Sequence, residues 1–228
     1  MLLVGISYGS VLGDLESFFT GNAILEQMLL SEAGTSLTEQ FIPMLMVVMA
    51  ILGTIPPLMA VNKLYGEEKN GRIEHLLGRS VSRTRLMVGY VILSAVNGFV
   101  MLSLTAIGLW AAGTTVMEEP FTFGTIYGAA VVYYPAVLVM IGVAAVLMGC
   151  VPRLHSLIWL YVLYSFVVIY LGGVFQFAGW VGKLSPYGHI PELPVAEMEV
   201  VPISILTALA IALMAIGVIG YNKRDIQG

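Results

Sequence analysis

Five stretches of this chain contain no Asp, Glu, Lys or Arg at all: 41–62, 86–113, 125–150, 156–178 and 202–221. A membrane-spanning helix needs about 20 consecutive, mostly apolar residues, and each run is that long or longer. A water-soluble domain has no use for five such segments. Charged residues make up only 11% of the 228 residues, against about 25% in a soluble domain. A globule of this size would lack the polar atoms to cover itself. The sequence therefore specifies an all-α integral membrane protein.

Prolines fall inside the runs at Pro43, Pro56, Pro57 and Pro135. Packed membrane helices tolerate them, and kinks are expected at Pro56-Pro57 and at Pro135. The first 13 residues are apolar but too short to span, and they lack the basic start of a signal peptide. They read as the outer portion of a helix whose inner portion lies elsewhere, as if the chain were cut from a longer polypeptide. An interfacial or re-entrant segment is the other reading.

Charge sorting orients the spans. With the loop after the 41–62 run placed in the cytoplasm, the inside collects Lys63, Lys69, Arg72, Arg79, Arg83, Arg85, Arg153, Lys223 and Arg224, nine of the ten basic residues. Only Lys183 falls outside, together with ten of the fourteen acids. Lys and Arg flanking the spans set orientation. The expected topology is six transmembrane helices, the first truncated, in one transmembrane domain over 1–228, with a cytoplasmic C-terminus.

The loops carry more information than the spans. In 14–41, Asn22 is placed to cap a short helix that Gly34 stops, and Ser36 with Glu39 has capping-box spacing. The inner loop 64–85 is the richest. Glu68 and Arg72 are spaced for an i,i+4 pair. Gly71 and Gly78 can end helices in the left-handed conformation, and Ser82 can cap the next span. Between the glycines, Arg72 to Leu77 forms a short helix with Ile73, Leu76 and Leu77 on one face and Arg72, Glu74 and His75 opposite. Such a helix can lie on the membrane surface, or it can dock a cytoplasmic partner.

The stretch EEKNGRIEHLLGRSVSRTRLMVGY resembles the first cytoplasmic loop of ABC-type exporter permeases of the six-helix group, where an acidic pair, a Gly, a Glu before two Leu and a Ser-Arg precede the next span. The resemblance implies a coupling helix seated on an ATP-binding subunit. Carried onto this chain, the coupling residues are Gly71, Arg72, Ile73, Glu74, His75, Leu76 and Leu77, flanked by Glu67, Glu68, Ser82 and Arg83. A second stretch, KLSPYGHIPELP before the last span, is similar to the C-terminal half of bacterial polyketide-antibiotic exporter permeases. That similarity implies short outer helices within the outer loop 176–201, and a second six-helix half as partner. ATP and Mg would be bound by the ATPase subunits, a dimer, and no cofactor by this chain.

Motifs for chemistry are absent. There is no phosphate-binding GxxxxGK[ST] and no HExxH. His75, His155 and His189 lie in three separate loops, so no shared metal site is expected. The single Cys150 excludes an internal disulfide, and the net charge of −4 disfavours nucleic acid as a partner. No ionisable residue interrupts a span, which argues against proton- or ion-coupled transport. Polar groups within spans supply the candidate substrate-cavity residues: Asn97, Tyr133, Tyr134, Tyr161 and Tyr164. Ser103 and Thr105 are further polar positions. Asn97 fits a helix–helix hydrogen bond equally well, and tyrosines near span ends also serve as interface anchors.

The sequence reading is the membrane part of an ATP-driven exporter in the bacterial plasma membrane, not itself an enzyme. It would move a hydrophobic, drug-like or antibiotic compound, with membrane lipid around it. The alternative is a non-transport membrane protein, a sensor or assembly factor, that docks a partner through the same basic loop.

Overall fold

The computed structural model describes residues 1–14, 37–71, 82–117, 120–175 and 177–224. All regular elements among them are helical. Helix α1 spans Leu2–Gly9, α2 Leu37–Lys69, α3 Arg83–Val116, α4 Phe123–Val131 and α5 Tyr134–Cys150. After a single turn at Pro152–Leu154 come α6 (Leu157–Tyr170), α7 (Gly172–Phe175) and α8 (Gly179–Gly182). A turn at Pro186–His189 then leads to α9 (Val200–Lys223).

The local signals explain where the long helices start and stop. Helix α2 ends at Lys69, and Gly71 follows at φ 67°, a left-handed conformation that costs an L side chain about 1–2 kcal/mol. Ser82 caps α3, its hydroxyl accepting from the Arg85 amide at 3.2 Å. Thr122 caps α4 in the same way through the Thr125 amide at 3.3 Å. Pro135 does more than kink its run. The helix breaks at Val132 and Tyr133 and restarts with Pro135 in the first turn of α5, where its missing N–H is not needed. Pro43, Pro56 and Pro57 all lie inside α2, which continues through them.

Four segments are long and apolar enough to cross a membrane: 41–69, α3, the α4–α5 pair over 123–150, and α9. The expected count of six is met in part. Helix α1 has 8 residues and α6 has 14. At 1.5 Å per residue α6 reaches about 21 Å, short of the roughly 30 Å apolar core. Its run was long enough, but two glycines, Gly172 and Gly173, follow Tyr170, and the chain turns back into the bundle. The short coupling helix 72–77 lies outside the described residues, as do Asn22, Gly34 and Ser36 of the first loop.

Backbone contact sets the packing. A Cβ on Gly149 of α5 would sit 2.0 Å from the Gly217 carbonyl oxygen of α9, and a Cβ on Gly217 would sit 2.5 Å from the Ala145 carbonyl carbon. Without a hydrophobic drive between helices in lipid, close approach of small residues supplies the dispersion energy. The same device joins α1 to α3, where a Cβ on Gly5 would meet the Thr105 carbonyl at 2.5 Å. The core gathers where α2, α3 and α5 cross, with Gly98 against Val137 and Pro57. Only 17% of the apolar window of α9 is buried, against 61% of that of α2, so α2 is a core strut and α9 a peripheral one.

Candidate functional site

Basic residues gather at one end of the bundle, where α2 ends, α3 begins and α9 ends: Lys69, Arg83, Arg85 and Lys223 with Arg224 just beyond. Here the two feet of the 72–81 loop are joined. Arg224 forms an ion pair with Glu68 on the last turn of α2. Arg83 Nη1 donates to the Arg224 carbonyl at 3.2 Å, and Thr84 Oγ1 donates to Asn222 Oδ1 at 3.1 Å. The Arg224 guanidinium also lies 5.1 Å from the Tyr221 ring centroid. This clasp uses the expected residues Glu68 and Arg83 but adds Arg224, which the sequence did not single out. Glu67 lies beside Glu68 on the same turn of α2. On the far side of the same end, Tyr65 of α2 stacks on His155 at 4.1 Å.

Gly71 and Ser82 mark the two feet of the loop. Arg72, Ile73, Glu74, His75, Leu76 and Leu77 lie outside the described residues.

The other candidate residues lie higher in the bundle, and the structure separates them. Tyr161 and Tyr164 of α6 donate to the Leu184 and Val181 carbonyls, both at 2.8 Å. Their hydroxyls hold the segment 179–190 against α6. Tyr187 completes the anchoring. Thr54 Oγ1 donates its one proton to the Ala50 carbonyl at 2.7 Å, so the 2.6 Å contact with the Tyr187 hydroxyl has Tyr187 as donor. Burial pushes the Tyr187 phenol well above its usual range, outweighing the Thr54 bond that lowers it. It is a neutral donor throughout the physiological range. Thr54 is near the middle of the 33-residue α2, so the segment between α6 and α9 folds deep into the bundle.

Above this segment lies a cavity of about 430 Å³. Pro43, Met44 and Val47 of α2 form one wall, and Val168 and Ile169 of α6 another. Tyr133 lines it from the α4–α5 break, where the interrupted helix turns a tyrosine that is 2% exposed into the space. Lys183, Tyr187 and Glu192 complete the polar lining. Of the five sequence candidates, Tyr133 alone lines this cavity. Tyr134 donates to the Ala95 carbonyl of α3 at 3.1 Å. Asn97 leaves its Oδ1 buried without a hydrogen-bond partner. Among the described residues no group of His, Cys, Asp and Glu is placed to hold a metal.

A bundle of long apolar helices, closed by backbone contact and bearing most of its described basic residues at one end, defines a multi-pass membrane protein. The chain belongs to the family described as "Multidrug efflux system permease Rv1217c, C-terminal domain", whose profile matches residues 1–222. It is 29% identical over 233 aligned positions to the multidrug efflux system permease protein Rv1217c of Mycobacterium tuberculosis (strain ATCC 25618 / H37Rv). That alignment takes in 100% of this chain and 42% of the relative, so the chain spans less than half the length of the protein it matches. The match agrees with the resemblance to the C-terminal half of exporter permeases.

Proposed function

We propose that this chain is one half of the membrane-spanning part of an ATP-driven, ABC-type exporter that moves hydrophobic, drug-like compounds out of a bacterial cell. A second six-helix half completes the translocation path, and separate ATP-binding subunits, a dimer, hold ATP and Mg. The basic end and the C-terminus face the cytoplasm, following the nine-to-one division of basic residues. The observation that carries the reading is the clasp at the loop's feet. Glu68, Arg83 and Arg224 join α2, α3 and α9 where the 72–81 loop leaves the bundle. A force delivered to that loop by a nucleotide-driven partner acts on three helices at once. The family match supports efflux and does not favour a sensor or assembly factor.

In this reading Ile73, Leu76 and Leu77 fill a groove on the ATPase, as amphipathic helices do on partners, and Glu74 meets a basic group there. The decisive experiment is an ATP-dependent efflux assay on Glu74→Lys and Leu77→Asp with an expression control. Loss of transport at normal membrane levels is expected, because like charges at an interface cost several kcal/mol. If the loop merely rests on lipid headgroups, Glu74→Lys adds a favourable charge and transport survives. That outcome refutes the coupling.

A further inference from the structure

From the cavity geometry we infer that the 430 Å³ space beside Tyr133 is a binding site for an amphipathic organic anion, with Lys183 holding its acid group. The inference rests on the export reading only in taking the occupant as cargo.

Among the described residues Lys183 is the one basic residue outside the basic end of the bundle. Its neighbours in the chain are fixed from both sides. The Leu184 carbonyl is held by Tyr161, and Tyr187 is held by Thr54 in the middle of α2. The Lys183 carbonyl is itself in contact with the His189 ring at 2.8 Å. The backbone around Lys183 is therefore pinned within the bundle rather than free above it. Lys183 itself is exposed, and so are the apolar side chains beside it. Trp180 is 66% and Leu184 57% exposed, as suits residues against lipid. An ammonium held at such a level is costly unless it meets an anion or faces water in a cavity. No carboxylate among the described residues lies within ion-pair distance of it. Glu192 lines the same cavity, and also a second one with Pro191 and Glu197, without pairing with Lys183.

The remaining lining matches the rest of such a molecule. Met44, Val47, Val168 and Ile169 offer an apolar wall, and Tyr133 adds a hydroxyl. The volume falls within the usual range for small-molecule sites, about 300–1,000 Å³. A neutral compound or a cation would leave the ammonium of Lys183 unpaired. An alkyl or aryl acid satisfies both parts of the lining. The same chemistry is found in a soluble acid and in the headgroup of an anionic lipid.

The test uses the complete transporter, this chain with its second half, in phosphatidylcholine nanodiscs. Saturable binding of radiolabelled dodecanoate, dodecanol and dodecylamine is compared after subtracting partition into empty discs. Dodecanoate is expected to bind about tenfold or more tighter than dodecanol, the scale of one charge-assisted hydrogen bond. Lys183→Gln should remove that preference, Lys183→Arg should keep it, and Lys183→Glu should transfer it to dodecylamine. Rescue by arginine separates loss of charge from loss of fold. Adding phosphatidylglycerol to the discs identifies the occupant. Competition with dodecanoate marks a lipid headgroup, absence of competition marks a soluble acid, and either keeps the anion site. Equal affinities for the three ligands, or unchanged dodecanoate binding by Lys183→Gln, overturns the inference. Failed ATP-driven export with the preference intact would refute the export reading alone.

Discussion

Replacing Arg224 by methionine tests whether the clasp holds the basic end together. The side chain of Glu68 is 8% exposed and that of Arg224 is 19% exposed. Arg224→Met keeps much of the apolar stem but removes the ion-pair partner of the part-buried Glu68 carboxylate. Breaking a buried pair costs about 3–5 kcal/mol. Water still reaches Arg224, so the lower end applies, about 3 kcal/mol, or roughly a hundredfold in the folding equilibrium. Neutralising the acid as well should recover about half of this, because a neutral amide against methionine no longer carries an unpaired charge. The Arg83 bond to the Arg224 carbonyl is to backbone and survives both changes. The assay is equilibrium unfolding by SDS in mixed micelles on Arg224→Met, Glu68→Gln and the double variant. A double variant as unstable as the sum of the two singles would show that the pair contributes no coupling and would refute the clasp.

Two further outcomes probe packing and the anchored segment. Gly217→Ala places a methyl 2.5 Å from the Ala145 carbonyl carbon and 2.9 Å from its Cβ; α9 must shift, costing about 1–3 kcal/mol, seen as a lower midpoint in thermal unfolding. Gly128→Ala, with nothing within 4 Å, is the matched control: its midpoint should not fall, and the helix propensity gained inside α4 raises it by at most about 2–4 °C. Tyr187→Phe removes the bond to Thr54 while Thr54 keeps its bond to Ala50. A loss of about 1 kcal/mol is expected, with a further Thr54→Val change costing little more in the same measurement; full additivity of the two would argue against the contact.

What the sequence made legible is what is local in the chain. The charge-free runs gave the spans because lipid demands unbroken apolar helix. Gly71 and Ser82 gave the two feet of the loop, since a left-handed residue and an N-cap each act within a few positions. The clasp was hidden because Glu68 and Arg224 are 156 residues apart, and nothing in either neighbourhood names the other. The run over 156–178 read as one unbroken span because periodicity cannot show that its helix stops at Tyr170 and that the segment after it is held back against it. The turn depends on hydrogen bonds from Tyr161, Tyr164 and Tyr187 to partners up to 133 residues away. For the same reason Tyr133 and Tyr134 looked equivalent as adjacent aromatics. Only the break between α4 and α5 turns one to the cavity while the other is tied to α3.

The loop's feet and the cavity lie at different heights of the bundle, yet few compliant parts separate them. Glu68 and Arg83 bind the end of α9. From there α9 runs along α5 with Gly217 against Ala145 and Gly149, where backbone meets backbone. Most helix pairs are separated by a layer of side chains that can change rotamer and absorb a small displacement. At these glycines there is no such layer, so α9 cannot tilt toward α5 without pushing it. Helix α5 in turn follows directly on Tyr133, its N-cap residue, on the cavity wall. The interruption between α4 and α5 at Val132 and Tyr133 is a place where such a displacement can be taken up. A helix interrupted there can let α5 move with α9 while α4 stays with α3, and the residue at the interruption is the one that faces the cavity.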